Sequence, residues 1–276
     1  MIKPLLEVEG LNVTFKTPHR MVQAVRDISF TVGKEKVGIV GESGSGKSAT
    51  GRAILKLTPG NGIVSARRMQ FEEIDLASAT EEDMLKVRGK RIGMILQDPK
   101  FSLDPVMRVG DQIAEALPPG LSSAEARDRV LEVLEAVRIR NPQRVYNLYP
   151  HECSGGMGQR VMIAMMLVPE PKLLIADEPT SALDVTVRMQ VLAILDDLVS
   201  RRGLGLMFIS HDLNLVATFC DRVLIMYAGR IVEECKASEL RQATHPYTQG
   251  LLASLPRIGE RQKKLATLVR DPAWAR

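Results

Sequence analysis

Gly41-Glu42-Ser43-Gly44-Ser45-Gly46-Lys47-Ser48 is the stretch on which the reading of the whole chain turns. A glycine, four residues and then Gly-Lys-Ser is the spacing of a phosphate-binding P-loop. Its context agrees: Lys36-Val37-Gly38-Ile39-Val40 before it reads as a strand, and the proline-free run from Ser48 to Leu57 predicts a helix after it. Glycines let backbone amides converge on one anion, and the helix turns its positive end toward the same point. Lys47 reaches the β and γ phosphates of a nucleoside triphosphate, and the Ser48 hydroxyl ligates magnesium. The phosphate-binding set is thus Gly41 to Ser48 with Ala49 in the first helical turn. A P-loop alone leaves several nucleotide-using classes open, so the choice depends on the rest of the chain.

Downstream, Lys172-Leu173-Leu174-Ile175-Ala176 is a continuous apolar run of the buried parallel-strand kind, ending in Asp177-Glu178. That is where open α/β sheets put their ligands. Asp177 suits magnesium, directly or through water, and Glu178 suits orienting or polarising the attacking water. His211 follows another strand, Gly205 to Ile209, and is placed to sense the γ phosphate and to hold Glu178 or the water by hydrogen bonding.

Other segments read more coarsely. Leu6 to Val8, Leu11 to Phe15 and Ile28 to Val32 predict a small antiparallel layer, and Ile92 to Leu96 a further strand. The breaker-rich segment from Gln97 to Pro105 changes the character of the chain. Apolar residues recur at helical spacing at Ala126, Val130, Val133, Leu134 and Val137, and a second helix is expected from near Gly156 to about Leu167. A helix is expected across Val185 to Ser200, and a terminal hairpin turning at Tyr227-Ala228-Gly229. The division that follows is an N-terminal part of the core over 1–97, a helical subdomain over 98–165, a C-terminal part of the core over 166–235 and an appended element over 236–276.

Composition narrows the classes. The 276 residues are 45% hydrophobic, enough for a sizeable core, and the net charge of +4 is spread rather than gathered in a stripe, so no nucleic-acid partner is implied. The apolar run Val161 to Val168 is far short of the roughly 20 residues that cross a bilayer, so membrane association is expected through partner proteins. Cys153, Cys220 and Cys235 are not spaced as metal ligands and fit a reducing cytoplasm, each read as a small buried hydrophobe.

The succession of P-loop, Gln97, Cys153-Ser154-Gly155-Gly156-Met157-Gly158-Gln159-Arg160, Asp177-Glu178, Ser181-Ala182-Leu183-Asp184 and His211 resembles the ABC transporter ATPases from about residue 5 to 235. The resemblance implies an α/β fold, a P-loop NTPase of the ABC ATPase type with a small antiparallel β layer and an inserted helical subdomain. It implies ATP and Mg2+ as ligands. In this family the Ser154, Gly155, Gly156 and Gln159 surface completes the ATP site of the opposing subunit, and Asp184 supports that opposite site. Gln97 there contacts magnesium or the water and passes nucleotide state to the transmembrane partner. Phe15 stands where such proteins place an aromatic against adenine, with burial in the core as the competing reading. Two positions depart from the pattern: Cys153 replaces a bulkier apolar residue, and Gly158 a residue that is often basic. The glycine lowers helix propensity by about 1 kcal/mol.

Longer stretches, Met94 to Pro99, Val161 to Met165 and especially His245-Pro246-Tyr247-Thr248-Gln249-Gly250-Leu251-Leu252, are similar to the oligopeptide, dipeptide and nickel importer ATPases. That branch implies a second, homologous ATPase, two transmembrane permease subunits and an extracytoplasmic solute-binding protein. It also implies a peripheral place on the cytoplasmic face of the inner or plasma membrane. Peptide is the expected solute, with nickel or another chelated solute as the alternative and a soluble non-transport ABC ATPase as a more distant one. No cysteine follows Cys235, so the iron-sulfur cluster of many relatives is not expected.

Overall fold

The computed structural model describes residues 3–96, 103–181, 183–255, 271 and 274. Gln97 and Ala182 therefore lie outside the described residues. The chain divides into two compact units, Met1–Thr80 with Met207–Arg276, and Glu81–Leu206.

The first unit opens with β1 (Leu6–Lys16) and β2 (Met21–Val32), continues through β3 (Lys36–Val40) and α1 (Lys47–Ile54), and adds β4 (Gly62–Ser65), β5 (Arg68–Phe71) and β6 (Ile74–Asp75). β1 is the hub of an antiparallel sheet of order β2-β1-β5-β6, with β4 also paired to β1. The two short strands expected at Leu6 to Val8 and Leu11 to Phe15 are one strand with a fault in it. Buried positions run Leu6 and Val8, then Leu11 and Val13, so the inward parity flips from even to odd. A simple strand would turn half of them to solvent. The register with β2 shifts between Val8↔Phe30 and Leu11↔Ile28, and Gly10 between them takes φ +62°. Its amide donates to Ser29 Oγ at 2.9 Å, so the bulge keeps both halves facing one core.

The second unit contains α2 (Glu81–Val87), β7 (Ile92–Ile95), α3 (Val109–Glu115), α4 (Ser123–Ala136), α5 (Pro142–Tyr146), α6 (Gly155–Leu167), β8 (Leu173–Asp177) and α7 (Val185–Arg202). β7 and β8 pair in parallel, Ile92↔Leu173 through Ile95↔Ala176. α4 lies where the apolar spacing put it, with Val130, Val133 and Leu134 buried, and it starts at a capping box formed by Ser122 and Glu125. α7 ends at Gly203, whose φ of +62° closes the helix.

The chain re-enters the first unit within β9 (Gly205–Ser210), followed by α8 (Leu213–Phe219), β10 (Arg222–Tyr227), β11 (Arg230–Lys236) and α9 (Pro246–Ser254). In this unit the order is β11-β10-β3-β9, and β10 runs parallel to β3. Tyr227 pairs with Arg230 across a two-residue turn, with positive φ at both Ala228 and Gly229, as tight hairpins require. Burial pushes all three thiols up, Cys220 to about 12, which makes them poor nucleophiles.

Gly10 is the residue that reconciles the two halves of β1, and a side chain there takes the unfavourable left-handed conformation and meets the Arg67 guanidinium at 2.4 Å. Gly10→Ala is expected to lower stability by about 1–2 kcal/mol, read from the urea midpoint, without changing the fold.

Candidate active site

The phosphate loop leaves β3 and enters α1 as the sequence predicts, and packing explains two of its glycines. A Cβ on Gly41 would lie 2.1 Å from the Met226 carbonyl oxygen, and one on Gly46 would lie 2.4 Å from that of Ala24. Gly44 and Gly46 have φ of +81° and +105°, the left-handed geometry that turns successive amides inward. The β10–β11 turn closes on the same loop, because Gly229 N–H donates to the Ser45 carbonyl and Arg26 N–H donates to that of Gly229.

Lys47 is 5% exposed, and its Nζ donates to the carbonyl oxygens of Gly41 at 2.8 Å and Glu42 at 2.9 Å. Ser45 Oγ is buried without a hydrogen-bond partner among the described residues. A buried hydroxyl in that condition costs about 1–3 kcal/mol, so an acceptor such as a phosphate oxygen suits it. Ser48 is half-buried in the first turn of α1, beside Ala49. Phe15, on β1, is half-buried rather than in the core, with its ring edge 3.1 Å from where a Gly62 Cβ would stand. His211, in the same unit, is exposed in the turn from β9 to α8, where Asp212 caps α8 by accepting from Leu215 N–H.

In the second unit Asp177 is the last residue of β8 and is 2% exposed. Glu178 follows it with φ +48°, a left-handed conformation that a glutamate adopts only at a cost of about 1–2 kcal/mol. Ser181 holds that bend, donating from its N–H and its hydroxyl to the Glu178 carbonyl at 3.3 and 3.2 Å.

The Ser154–Gln159 stretch forms the N-terminus of α6. Ser154 is exposed and caps the helix, accepting from Met157 N–H at 3.3 Å. Gln159 is turned the other way: it is 2% exposed, and its Nε2 donates to the Pro179 carbonyl at 2.7 Å. It thus ties α6 to the loop that carries Glu178. Asp184 caps α7, accepting from Val187 N–H at 3.0 Å, and Val185 and Met189 on α7 are exposed hydrophobics.

Sequence reading missed the supports of the phosphate loop: Ala24, Met226, Gly229 and Tyr247, whose hydroxyl accepts from Glu42 N–H at 3.1 Å. The only signal for them was the glycine spacing, which says that something comes close without saying what.

The three signature glycines are separable. A Cβ on Gly156 would sit 2.7 Å from Val187 Cγ1, whereas Gly155 and Gly158 have nothing within 4 Å. Gly156→Ala is expected to lower the thermal midpoint by forcing α6 and α7 apart. Gly158→Ala should raise stability by about 1 kcal/mol through helix propensity alone. Calorimetry on the purified variants checks both signs.

The chain is similar to known proteins both in sequence and in three dimensions. The family model described as ABC transporter matches residues 25–181. The oligopeptide transport ATP-binding protein OppD of Bacillus subtilis (strain 168) is 50% identical over 259 residues, 92% of this chain and 72% of that protein. Its namesake in Salmonella typhimurium is 46% identical over 272 residues, 97% of this chain and 81% of that one. In three dimensions the chain is similar to the ATP-binding cassette MJ0796, solved as a dimer in a post-hydrolysis state with ADP and Pi, at TM-score 0.74 and 26% identity over 84% of this chain and 98% of that one. The structure of cbiO1 from Clostridium perfringens, part of the ABC transporter complex cbiONQ, gives TM-score 0.75 and 27% identity over 87% of this chain and 92% of that one. A phosphate loop of this build, a family match over more than half of the chain and relatives this similar along most of their length together place the chain in the ABC transporter family, as one of its ATP-binding-cassette ATPases.

Proposed function

We propose that the chain is the ATP-hydrolysing subunit that energises peptide uptake through a multisubunit ABC importer. The observation that carries this reading is the 50% identity over 92% of the chain to a protein named for oligopeptide transport. The chain acts as a peripheral subunit on the cytoplasmic face, held by two transmembrane permeases; among the described residues no helix is long and apolar enough to cross a membrane. A second, homologous ATPase and an extracytoplasmic solute-binding protein complete the complex. Residues 98–165 serve as the helical subdomain that meets the permeases, and residues 236–276 as an appended element.

In this reading Lys47, the loop from Gly41 to Ser48 with Ala49, and the Ser45 hydroxyl hold the ATP phosphates, the Glu42 N–H being taken by Tyr247 and that of Ser45 by the Glu42 carbonyl, while Phe15 offers a ring face to adenine. The Ser48 hydroxyl and the Asp177 carboxylate are hard oxygen donors of the kind magnesium takes, and Asp177 is a buried acid suited to a cation. A bound magnesium ion would neutralise charge on the phosphates. Glu178 orients the attacking water and accepts its proton, and His211 holds that arrangement by hydrogen bonding. Ser154, Gly155 and Gly156 face the nucleotide of the opposing ATPase, with Asp184 supporting the same opposite site. Gln159 contributes indirectly, through its bond to Pro179. Gln97 is assigned to magnesium or the water on resemblance alone.

Glu178→Gln keeps the shape and removes the base, so turnover is expected to fall at least about 10²-fold while ATP still binds. In the reconstituted complex, peptide uptake should stop with it. Wild-type turnover in that variant would remove Glu178 from the mechanism. Uptake that follows nickel and ignores peptides would replace the solute, and outward transport independent of the binding protein would reject import.

A further inference from the structure

One peptide unit of the phosphate loop is gripped at both ends. The Gly41 carbonyl oxygen accepts from Lys47 Nζ at 2.8 Å, and the N–H of the same peptide, that of Glu42, donates to Tyr247 Oη at 3.1 Å. Because a peptide is planar, fixing its N–H fixes the direction of its carbonyl. The tyrosine thereby sets where the lysine's acceptor points.

Tyr247 is itself immobilised. It is fully buried in the first turn of α9, its ring centroid 4.5 Å from that of Tyr227 and 6.1 Å from that of Trp274. His245 caps α9 by accepting from Tyr247 N–H through Nδ1 at 3.2 Å. The segment before the helix is pinned by Glu233 of β11, whose Oε1 accepts from Thr244 N–H at 2.7 Å and His245 N–H at 3.3 Å. A continuous set of contacts thus runs from β11 through the start of α9 to the phosphate loop, entirely within the first unit.

We infer that Tyr247 is a positioning residue for nucleotide binding, orienting the Gly41–Glu42 peptide and through it Lys47, and that Glu233 seats the helix that carries it. The start of α9, within the appended element, then takes part in nucleotide binding. The inference rests on the reading of Gly41 to Ser48 as the ATP phosphate site.

The test uses the full chain and the non-hydrolysable analogue AMP-PNP with magnesium, titrated calorimetrically, with the thermal midpoint recorded for each variant. Tyr247→Phe keeps the ring and removes the acceptor, and affinity is expected to fall about tenfold with a small change in midpoint. Tyr227→Phe, which alters the neighbouring ring of the same cluster, should bind within about twofold of wild type. Glu233→Gln should weaken binding in the same direction as Tyr247→Phe but less. In a Lys47→Ala background, Tyr247→Phe should have little further effect, because both act through one peptide; a merely structural tyrosine would give additive losses. Wild-type affinity in Tyr247→Phe, or additivity with Lys47→Ala, overturns the inference. If Lys47→Ala binds the analogue like wild type, the phosphate-site reading fails instead.

Discussion

Backbone packed against backbone around the phosphate loop is the constraint on which the first unit depends. The carbonyls of Met226 and Ala24 come so near Gly41 and Gly46 that no side chain fits at either position. These glycines therefore do two things: they free the amides for an anion, and they let β2 and β10 close on the loop. The β10–β11 turn adds a bond to Ser45 and α9 adds one to Glu42. A loop held by four separate segments is ordered before any ligand binds, and such order lowers the cost that binding must overcome.

The second unit holds its acidic strand end differently, by strain and by tethering. Glu178 sits in a left-handed conformation immediately beyond a fully buried strand. Ser181 bonds its carbonyl, and Gln159 holds Pro179 next to it. A substitution in the signature segment would therefore reach the acidic strand end through Gln159 as well as through any partner subunit. The Gly156–Val187 approach extends the same tethering to α7, whose N-cap is Asp184.

The parts legible in the sequence were those whose chemistry demands a fixed local pattern. The glycine-rich loop, the apolar strand ending in Asp177 and the face of α4 are of this kind, since periodicity and spacing are local properties. The segment from Gly62 to Asp75 was not read, because its strands are two to four residues long, too short for alternation to show. β1 was split in two because its apolar parity reverses at Gly10, and only the register with β2 shows that a bulge absorbs the reversal. Leu57 was expected in α1, but the helix ends at Ile54 because Lys56 turns to φ +51°. Gln159 was read as facing a ligand and is instead buried on a carbonyl, which helix spacing alone does not distinguish. Tyr247 lies 205 residues from its partner Glu42, and its bond is a product of tertiary packing that no local pattern records.

Lys47 links folding to ligand binding. An ammonium removed from water needs compensation, and here the Gly41 and Glu42 carbonyls provide part of it. These are neutral dipoles, whereas a polyphosphate carries full negative charge, and a charged acceptor makes roughly twice as strong a hydrogen bond. The loop therefore folds with its cation already desolvated, and on the proposed function the larger compensation would come when phosphate arrives. On the proposed role of Lys47, whatever keeps those carbonyls in place keeps the lysine ready, so Tyr247, remote in sequence, would bear on nucleotide affinity through the Gly41–Glu42 peptide. The same linkage runs in reverse, since a ligand that binds only the folded loop stabilises the segments packed around it.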